Sequence, residues 1–299
     1  MPSLLDIRRR IRSVKNTQQI TKAMKMVSAA KLKRAQDRVV SARPFANKMT
    51  EVLSELASHT EEDFHHPLLD ARGDERYLLV LITADKGLAG AFNANLIKAA
   101  QAFVREHADN AVEIYAVGRK GRDFFRRRAF TIAAENIGLT GKGRVEYGEA
   151  VEVARDITRR FIEDEGVDKV FLVYSEFKSV LAQRAVVEQI LPVSRVVERA
   201  EEAEAAPDPS RAVTYVDYIY EQPPEDIFSQ LLPRLIETQI YRALLESVAS
   251  EQGARMTAMD SASKNAFDLI AKLTLNMNRV RQAGITREII EIVSGASVQ

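Results

Sequence analysis

The chain has 299 residues, 46% of them hydrophobic and 28% charged, so it is long enough for one large or two modest globular domains. Its 43 lysines and arginines nearly cancel its 42 aspartates and glutamates, so net charge predicts no class of partner. The absence of cysteine excludes disulfides, zinc–thiolate centres and thiol nucleophiles. No apolar run reaches the roughly 18 residues of a membrane-spanning helix, and the Arg-rich start lacks the order of a secretory signal. We therefore expect any membrane attachment to be made through partners.

Residues 1–57 predict one long helix. Ser3 is a candidate N-cap, and no proline follows it before Pro44. Apolar residues recur at alternating spacings of three and four: Leu4, Ile7, Ile11, Val14, Leu32, Ala35, Val39, Ala42, Ala46, Met49, Leu53 and Leu56. This spacing predicts a coiled-coil seam on a helix about 80 Å long.

The middle of this helix breaks the apolar pattern. The same register places polar residues on the seam, namely Gln18, Thr21, Lys25 and Ser28. The apolar Ile20, Met24 and Val27 lie on a rotated stripe instead. A local change of winding would explain this, and so would a second face that contacts another partner.

Residues 58–76 predict a linker, and residues 77–222 predict a central α/β domain. Strand-like runs alternate with helical stretches near residues 93–106, 119–128 and 146–163. The predicted strands are Tyr77–Thr83, Glu113–Val117, Phe130–Ala133, Lys169–Tyr174, Gln183–Leu191 and Val213–Tyr220. The alternation predicts a Rossmann-like, mostly parallel sheet with helices on its faces. Between the last two strands, residues of about 198–210 predict an acidic loop.

Residues 223–299 predict a second and longer helix that begins at Pro223 and Pro224. Its predicted seam has a polar middle at Gln252 and Arg255, and it then continues through Met259, Ala262, Ala266, Leu269, Leu273, Asn276 and Val280. Because the two helices flank the α/β domain, they can form a coiled coil only if they run antiparallel. The longer helix then overhangs the first with an apolar tip, which we define as Ile285, Ile289, Ile290, Ile292 and Val293. That much apolar surface requires an enclosing partner.

Two glycine-bearing loops are candidate phosphate sites. ADKGLAG (Ala84–Gly90) lacks the GxGxxG pattern, and GLTGKGR (Gly138–Arg144) has no Ser or Thr after its Gly-Lys pair. Tight-turn glycines are the favoured interpretation. His59, His65 and His66, with the acidic residues 61–63, favour a solvated linker over a metal cluster. The sequence predicts no catalytic, cofactor-binding or metal site.

The first helix concentrates positive charge, with eleven basic residues from Arg8 to Arg38 against Asp6 and Asp37. A solvated exterior and nucleic-acid binding are both alternatives. The basic residues surround the helix, however, and aromatic residues that would stack on bases are missing there. An acidic protein collar is the favoured interpretation, without nucleic acid.

Three segments resemble the gamma subunits of F-type ATP synthases. They are DIRRRIRSVKNTQQITKAMKMVSAAKLKRAQ (Asp6–Gln36), TADKGLAGAFN (Thr83–Asn93) and SEQGARMTAMDSASKNAFDLIAKLTLNMNRVRQAGITREIIEIVSGA (Ser250–Ala296). The resemblance implies a non-catalytic rotor whose coiled coil stands inside three alpha and three beta subunits, the catalytic sites being on beta. The α/β domain would rest as a foot, with epsilon, on the c-ring. Proton-driven rotation would be coupled to ATP synthesis or hydrolysis at the cytoplasmic face of a bacterial inner membrane.

The resemblance also implies contact residues. Those facing beta subunits are Lys22, Met24, Lys25, Arg281 and Gln282, and the apolar tip would turn in an apolar bearing. Contacts of the foot with the c-ring and epsilon would involve Tyr215, Tyr218 and Tyr220. Plant plastid relatives carry a cysteine-bearing regulatory insertion in the central domain, and the comparable region here is the cysteine-free acidic loop, so thiol regulation is not expected.

Two other functions remain open on sequence grounds. One is a coiled-coil scaffold whose α/β domain binds a small ligand. The other is a nucleotide-binding enzyme with helical arms. Purification alone, compared with purification together with alpha and beta subunits, would separate them from the rotor.

Overall fold

The computed structural model describes residues 3–58, 64–163, 166–180, 182–193 and 222–296. The chain divides into two compact units: a smaller one of Met1–Ala30 with Arg255–Gln299, and a larger one of Lys31–Ala254. Two long helices, α1 (Leu4–Ser58) and α5 (Pro224–Ala296), contribute a stretch to each unit.

The larger unit contains a five-stranded sheet in the order β3-β2-β1-β4-β5. Its strands are β1 (Arg76–Ile82), β2 (Ala111–Val117), β3 (Ile132–Asn136), β4 (Lys169–Phe177) and β5 (Gln183–Leu191). The first four strands are parallel, and β5 is antiparallel to β4. The predicted mostly parallel sheet is confirmed. The predicted strand at Val213–Tyr220 and the acidic loop lie outside the described residues.

Three helices connect the parallel strands: α2 (Phe92–Glu106), α3 (Arg119–Arg126) and α4 (Tyr147–Glu163). Every residue of β1 from Tyr77 to Ile82 is buried, as expected for a central strand covered on both faces. Side chains of α2 and α3 pack on the face that carries Leu79 and Leu81. Because strand side chains alternate, the equally buried Leu78 and Val80 belong to a second core on the other face.

The start of β3 differs from the prediction. Phe130 was predicted to begin this strand, which instead begins at Ile132. Ala129 has a positive φ of 54°, and the Phe130 N–H donates to the Phe125 carbonyl at 3.4 Å. Phe130 therefore closes the turn after α3, and its ring packs against Phe125 with centroids 5.2 Å apart.

Helix α1 begins with a reciprocal cap. The Ser3 hydroxyl accepts a hydrogen bond from the Asp6 N–H at 3.2 Å, and the Asp6 carboxylate accepts one from the Ser3 N–H at 3.2 Å. Farther along, Thr21 and Ser28 are buried, whereas Ile20 is 60% exposed and Val27 is 56% exposed. The seam therefore keeps its register through the polar stretch, and no rewinding brings the apolar stripe inward.

In the larger unit the two long helices run antiparallel. The ring of Phe64, just past the end of α1, lies 5.7 Å from that of Phe228, near the start of α5. Earlier on α1, Arg43 lies near Glu246, later on α5. Burial raises the pKa of the Glu246 carboxyl, and the positive charges of Arg242 and Arg43 oppose this rise.

Part of α5 is buried on all sides, which a two-helix seam does not require. Residues 243–253 are all buried. The Ser247 hydroxyl accepts a hydrogen bond from the Ser175 N–H at 3.1 Å, and the Ser250 hydroxyl donates to the Ser175 carbonyl at 3.1 Å. This stretch of α5 is therefore hydrogen-bonded to β4, and the polar middle predicted at Gln252 is buried.

The seam of α5 in the smaller unit also differs in detail from the prediction. Leu269 and Asn276, both predicted seam positions, are exposed. Ile270 and Met277 are partly buried in their place. After Ala266 the spacing is four residues and then three, the reverse of the predicted order, so these seam positions shift by one residue.

Candidate interaction surfaces and a filled anion site

Asp85 lies at the carboxyl end of the sheet, where α/β folds commonly bind phosphate. Its Oδ1 accepts hydrogen bonds from the N–H groups of Arg119 (3.1 Å) and Gly138 (3.0 Å). Its Oδ2 accepts from the Gly141 N–H (2.7 Å) and the Thr140 hydroxyl (3.1 Å). Because Arg119 is the first residue of α3, the carboxylate also lies at a helix N-terminus. An anion of the chain itself therefore fills this site.

Two glycines allow α3 to approach the end of β1. Gly118 has φ of 95°, and a Cβ there would lie 2.1 Å from the Thr83 carbonyl oxygen. A Cβ on Gly121 would lie 2.9 Å from the Thr83 hydroxyl oxygen, which accepts a hydrogen bond from the Gly121 N–H. Side chains at these positions would push α3 away from Asp85, so the glycines serve the packing that closes the site.

The histidines near the start of the α/β domain make local contacts. His65 Nδ1 lies 3.4 Å from an Asp70 carboxylate oxygen, and His66 Nδ1 accepts a hydrogen bond from the Leu68 N–H at 3.2 Å. Burial lowers the pKa of His66, and the Asp70 carboxylate acts in the opposite direction. His59 lies outside the described residues. Within the described ranges, no group of three His, Cys, Asp or Glu side chains could hold a metal ion.

A three-residue ion cluster crosses the coiled coil in the smaller unit. Lys25 Nζ of α1 lies 2.6 Å from Asp260 Oδ1 of α5, and Lys264 Nζ lies 2.8 Å from Asp260 Oδ2. Hydrogen bonds from Lys25 and then Lys264 lower the pKa of Asp260 to about 2. Lys25, predicted from the resemblance to face a beta subunit, is thus paired within the chain.

The other predicted beta-facing residues are accessible to differing degrees. Lys22, Arg281 and Gln282 are exposed, and Met24 is half-buried. Tyr215, Tyr218 and Tyr220, predicted for the foot, lie outside the described residues. The described part of the chain contains no helix that is both long and apolar enough to cross a membrane.

The ion cluster sets the register of the two helices and so shows where α5 extends beyond the start of α1. Leu4, the first residue of α1, lies 21 residues before Lys25, and Arg281 lies 21 residues after Asp260. Since antiparallel helices rise equally per residue, Leu4 and Arg281 lie at about the same height. Helix α5 continues to Ala296. A Cβ on Gly284 would have no neighbouring atom within 4 Å, as expected beyond the end of the seam.

The apolar tip lies in this overhang and is exposed. Its side-chain exposures range from 50% for Ile285 to 72% for Ile292. Surface apolar residues are common singly, but five within nine residues of one helix mark a contact surface.

Sequence reasoning missed an arginine-lined cleft in the larger unit. Its volume is about 1030 Å³, and its walls come from α1, α5 and the residues around the start of α4. Because these segments are distant in the chain, no local motif reveals the cleft.

These features define a class of protein. It has a Rossmann-like domain whose anion site is filled internally, and long coiled-coil helices that end in an unpartnered apolar tip. Such a chain is a subunit of a larger assembly, and it functions through the surfaces that contact its partners.

The particular family follows from comparison with known proteins. A family model described as ATP synthase matches residues 3–298. The chain is 54% identical to the ATP synthase gamma chain of Solibacter usitatus and 49% identical to that of Desulforamulus reducens, with 99% of each chain covered. The chain belongs to the ATP synthase gamma-chain family, and it is a non-catalytic central-stalk subunit. The small-ligand scaffold is not favoured.

Solved structures agree with this fold. The central stalk and c-ring structure of the Tetrahymena thermophila mitochondrial ATP synthase matches with a TM-score of 0.59 at 25% identity, covering 82% of this chain and 99% of that one. A chain in the F1 and c-ring structure of the Euglena gracilis enzyme matches with a TM-score of 0.65 at 20% identity, covering 99% of this chain and 94% of that one.

Proposed function

We propose that this central-stalk subunit turns as the rotor shaft inside a ring of three alpha and three beta subunits. Its α/β domain would rest, with epsilon, on the c-ring, so that proton flow through the ring drives rotation. Rotation would in turn drive ATP synthesis at the beta subunits, or ATP hydrolysis would drive it in reverse. The family and the long antiparallel helices support this proposal.

The exposed apolar tip is the observation that carries the proposal. Large side chains contribute roughly 1.5–3 kcal/mol each when they become buried. Five of them on an overhanging helix therefore favour an apolar enclosure strongly. A ring of subunits provides such an enclosure without fixing one rotational orientation, which a turning shaft requires.

Discrete side-chain contacts, some of them charged, would transmit torque. We infer that Lys22 and Met24 on α1, and Arg281 and Gln282 on α5, contact beta subunits. Their accessibility supports this role, since charge-assisted contacts of roughly 1.5–3 kcal/mol can break and re-form. The internal pairing of Lys25 supports a structural role for that residue beside any contact with beta.

Attachment to the membrane would be indirect. We infer that the complex lies at the cytoplasmic face of a bacterial inner membrane, with the foot residues Tyr215, Tyr218 and Tyr220 near the c-ring. The bacterial relatives support this location.

The test replaces Ile289, Ile290 and Ile292 together with serine. The variant is co-expressed with alpha and beta subunits from the same genome, and assembly and ATP hydrolysis are measured. We expect impaired assembly or turnover, because the tip would no longer favour an apolar enclosure.

The matched control replaces the same three residues with valine, which keeps them apolar, and should behave like the parent chain. The α/β domain should melt unchanged in both variants. A serine variant that assembles and hydrolyses ATP like the valine variant would overturn the proposal.

A further inference from the structure

The cleft in the larger unit is rich in positive charge. Five arginines line it, against only two glutamates: Arg38, Arg144, Arg155, Arg234 and Arg242, with Glu146 and Glu237. An occupant that complements this surface must therefore carry negative charge.

The two glutamates of the lining are already engaged. Glu146 pairs with Arg144. Glu237 accepts a hydrogen bond from the Tyr147 hydroxyl at 3.0 Å and lies 3.9 Å from Arg155 Nε. Arg242 is likewise paired, since its Nη2 lies 3.3 Å from a Glu188 carboxylate oxygen outside the cleft.

The ion pairs of the cleft within the described residues involve its other three arginines, and neither Arg38 nor Arg234 takes part in them. One projects from α1 and the other from α5, and both line the cleft. Each guanidinium can bind a carboxylate with two parallel hydrogen bonds. Within the part of the chain that the structure describes, the cleft therefore contains two guanidinium groups that no carboxylate compensates.

Aromatic rings accompany the charges. Phe45 is 59% exposed and Tyr147 is 43% exposed, while Tyr241 contacts Tyr147 edge-on with centroids 5.3 Å apart. Aromatic residues and arginine are the side chains that most often dominate the free energy of protein–protein binding. The mixture suits an acidic partner that also has apolar side chains.

The spacing indicates the size of the occupant. Arg38 precedes Phe45 by seven residues on α1, and Arg234 precedes Tyr241 by seven residues on α5. Seven residues span about 10 Å along a helix, on roughly one face. Because α1 and α5 are antiparallel here, with Arg43 near Glu246, Arg38 and Arg234 lie at opposite ends of this row with the rings between them, roughly 25 Å apart. An extended peptide covers that distance with about seven residues. A single phosphate or pyrophosphate is too short to reach both the charges and the rings.

We propose that this cleft binds an acidic segment of another protein subunit in the assembled complex. Its carboxylates pair with Arg38 and Arg234, and an apolar side chain packs against Phe45 and Tyr147. The identity of the complex rests on the proposed function, whereas the chemistry of the cleft does not.

The absence of native cysteine provides a direct test. A Phe45→Cys variant is treated with a maleimide reagent, both as the isolated chain and within the purified complex. We expect labelling about tenfold slower in the complex, because the partner segment covers this position; a tenfold change corresponds to about 1.4 kcal/mol. Arg126→Cys, at an exposed end of α3 away from the cleft, is the control and should label equally in both.

Charge reversal tests the chemistry. Arg38→Glu with Arg234→Glu should restore labelling of the Phe45→Cys variant in the complex, whereas the matched Arg126→Glu should not. Circular dichroism reports whether the variant chains fold, and gel filtration with ATP hydrolysis reports assembly, so that a failure of the proposed function is recognised separately.

Three results would overturn the proposal. The first is equal labelling of the Phe45→Cys variant in the isolated chain and in an assembled complex. The second is protection that survives the double charge reversal, which would show that carboxylates are not what the cleft recognises. The third is protection of the isolated chain by millimolar pyrophosphate, which would identify a small-anion site.

Discussion

At the scale of single residues, the Asp85 carboxylate is held in place by an unusually complete set of hydrogen bonds. It is almost fully buried and accepts four hydrogen bonds, three of them from backbone N–H groups. Those three N–H groups lie just after β2, at the start of α3, and after β3, so one side chain joins the ends of three adjacent strands. An anionic ligand at this position would have to displace the Asp85 carboxylate from its hydrogen bonds. The ligand would then lie beside a second negative charge, which would repel it.

Replacing Asp85 with asparagine should destabilise the larger unit by about 3 kcal/mol. The amide nitrogen cannot accept hydrogen bonds, so N–H donors lose a charged acceptor inside the protein. Urea denaturation followed by circular dichroism measures the loss. Asp123→Asn is the control, because Asp123 pairs with Arg122 at a more exposed position and should contribute less than about 1 kcal/mol. Equal losses in the two variants would contradict this role of Asp85.

This residue also shows a limit of sequence reasoning. The glycines of the two loops were identified, and the missing phosphate motif argued against nucleotide binding. The partners of Asp85 lie between 34 and 56 positions away in the chain, however. Only the folded sheet brings Arg119, Gly138 and Gly141 to one carboxylate, so the sequence predicted the sheet but not the filled site.

At the scale of elements, the polar stretch of α1 is where pattern and structure can be compared most closely. The sequence left two explanations for Ile20 and Val27, and the burial of Thr21 and Ser28 excludes a rewound seam. Small hydroxyl side chains fit a close contact between the two helices. Where the seam has few apolar side chains, the Lys25–Asp260 ion pair links the helices instead. Ile20 and Val27 therefore form an exposed outer face of α1.

The reason for the errors in α5 is different. A three-and-four spacing can be continued from Ala266 through either Leu269 or Ile270, and both residues are apolar. The choice depends on the winding of the partner helix, which the sequence of α5 does not contain. The burial of residues 243–253 likewise depends on the sheet in addition to α1, because β4 covers a side of α5 that a two-helix seam leaves exposed.

The Asp260 carboxylate gives the coiled coil a defined acid sensitivity. Its pKa is lowered from 3.8 to about 2, chiefly by the hydrogen bond from Lys25. A carboxyl group whose pKa is lower in the folded state than in the unfolded state stabilises the fold at pH values above its unfolded-state pKa. This stabilisation is lost as the pH falls towards its folded-state pKa. We expect the parent chain to melt at a higher temperature than Asp260→Asn at pH 5, and the difference to shrink between pH 3.8 and about 2.

Thermal melting by circular dichroism at a series of pH values measures this difference. Asp268→Asn, an exposed aspartate on the same helix, is the matched control and should show little difference from the parent at any pH. A melting difference between parent and Asp260→Asn that stays constant from pH 5 to pH 2 would exclude the linkage.

At the scale of the whole molecule, each unit exposes groups that a partner could contact. The smaller unit exposes the apolar tip and the side chains of Arg281 and Gln282. The larger unit fills its own anion site and exposes the arginine-lined cleft. A central-stalk subunit works through its partners, and its chemistry is accordingly concentrated on surfaces that partners can reach.

Arg281 is the residue at which this interpretation can be tested most sharply. It lies at the height where α1 begins, so no α1 side chain lies beyond it to cover the next turns of α5. We expect Arg281→Ala to lower steady-state ATP hydrolysis by reconstituted complexes about three- to tenfold, with a smaller effect of Gln282→Ala. A contact made only at some rotor angles changes the barrier between angles, and a tenfold change corresponds to about 1.4 kcal/mol.

The control variants distinguish a contact that transmits torque from a solvated surface residue. Arg281→Lys should recover only part of the loss, because an ammonium group cannot bind a carboxylate with two parallel hydrogen bonds. Arg279→Ala removes another exposed arginine from a different side of the same helix and should leave turnover unchanged. Thermal melting of each complex checks that assembly is intact. If Arg281→Ala and Arg279→Ala hydrolyse ATP at the same rate, Arg281 is a solvated surface residue and the torque contact must be sought elsewhere on α5.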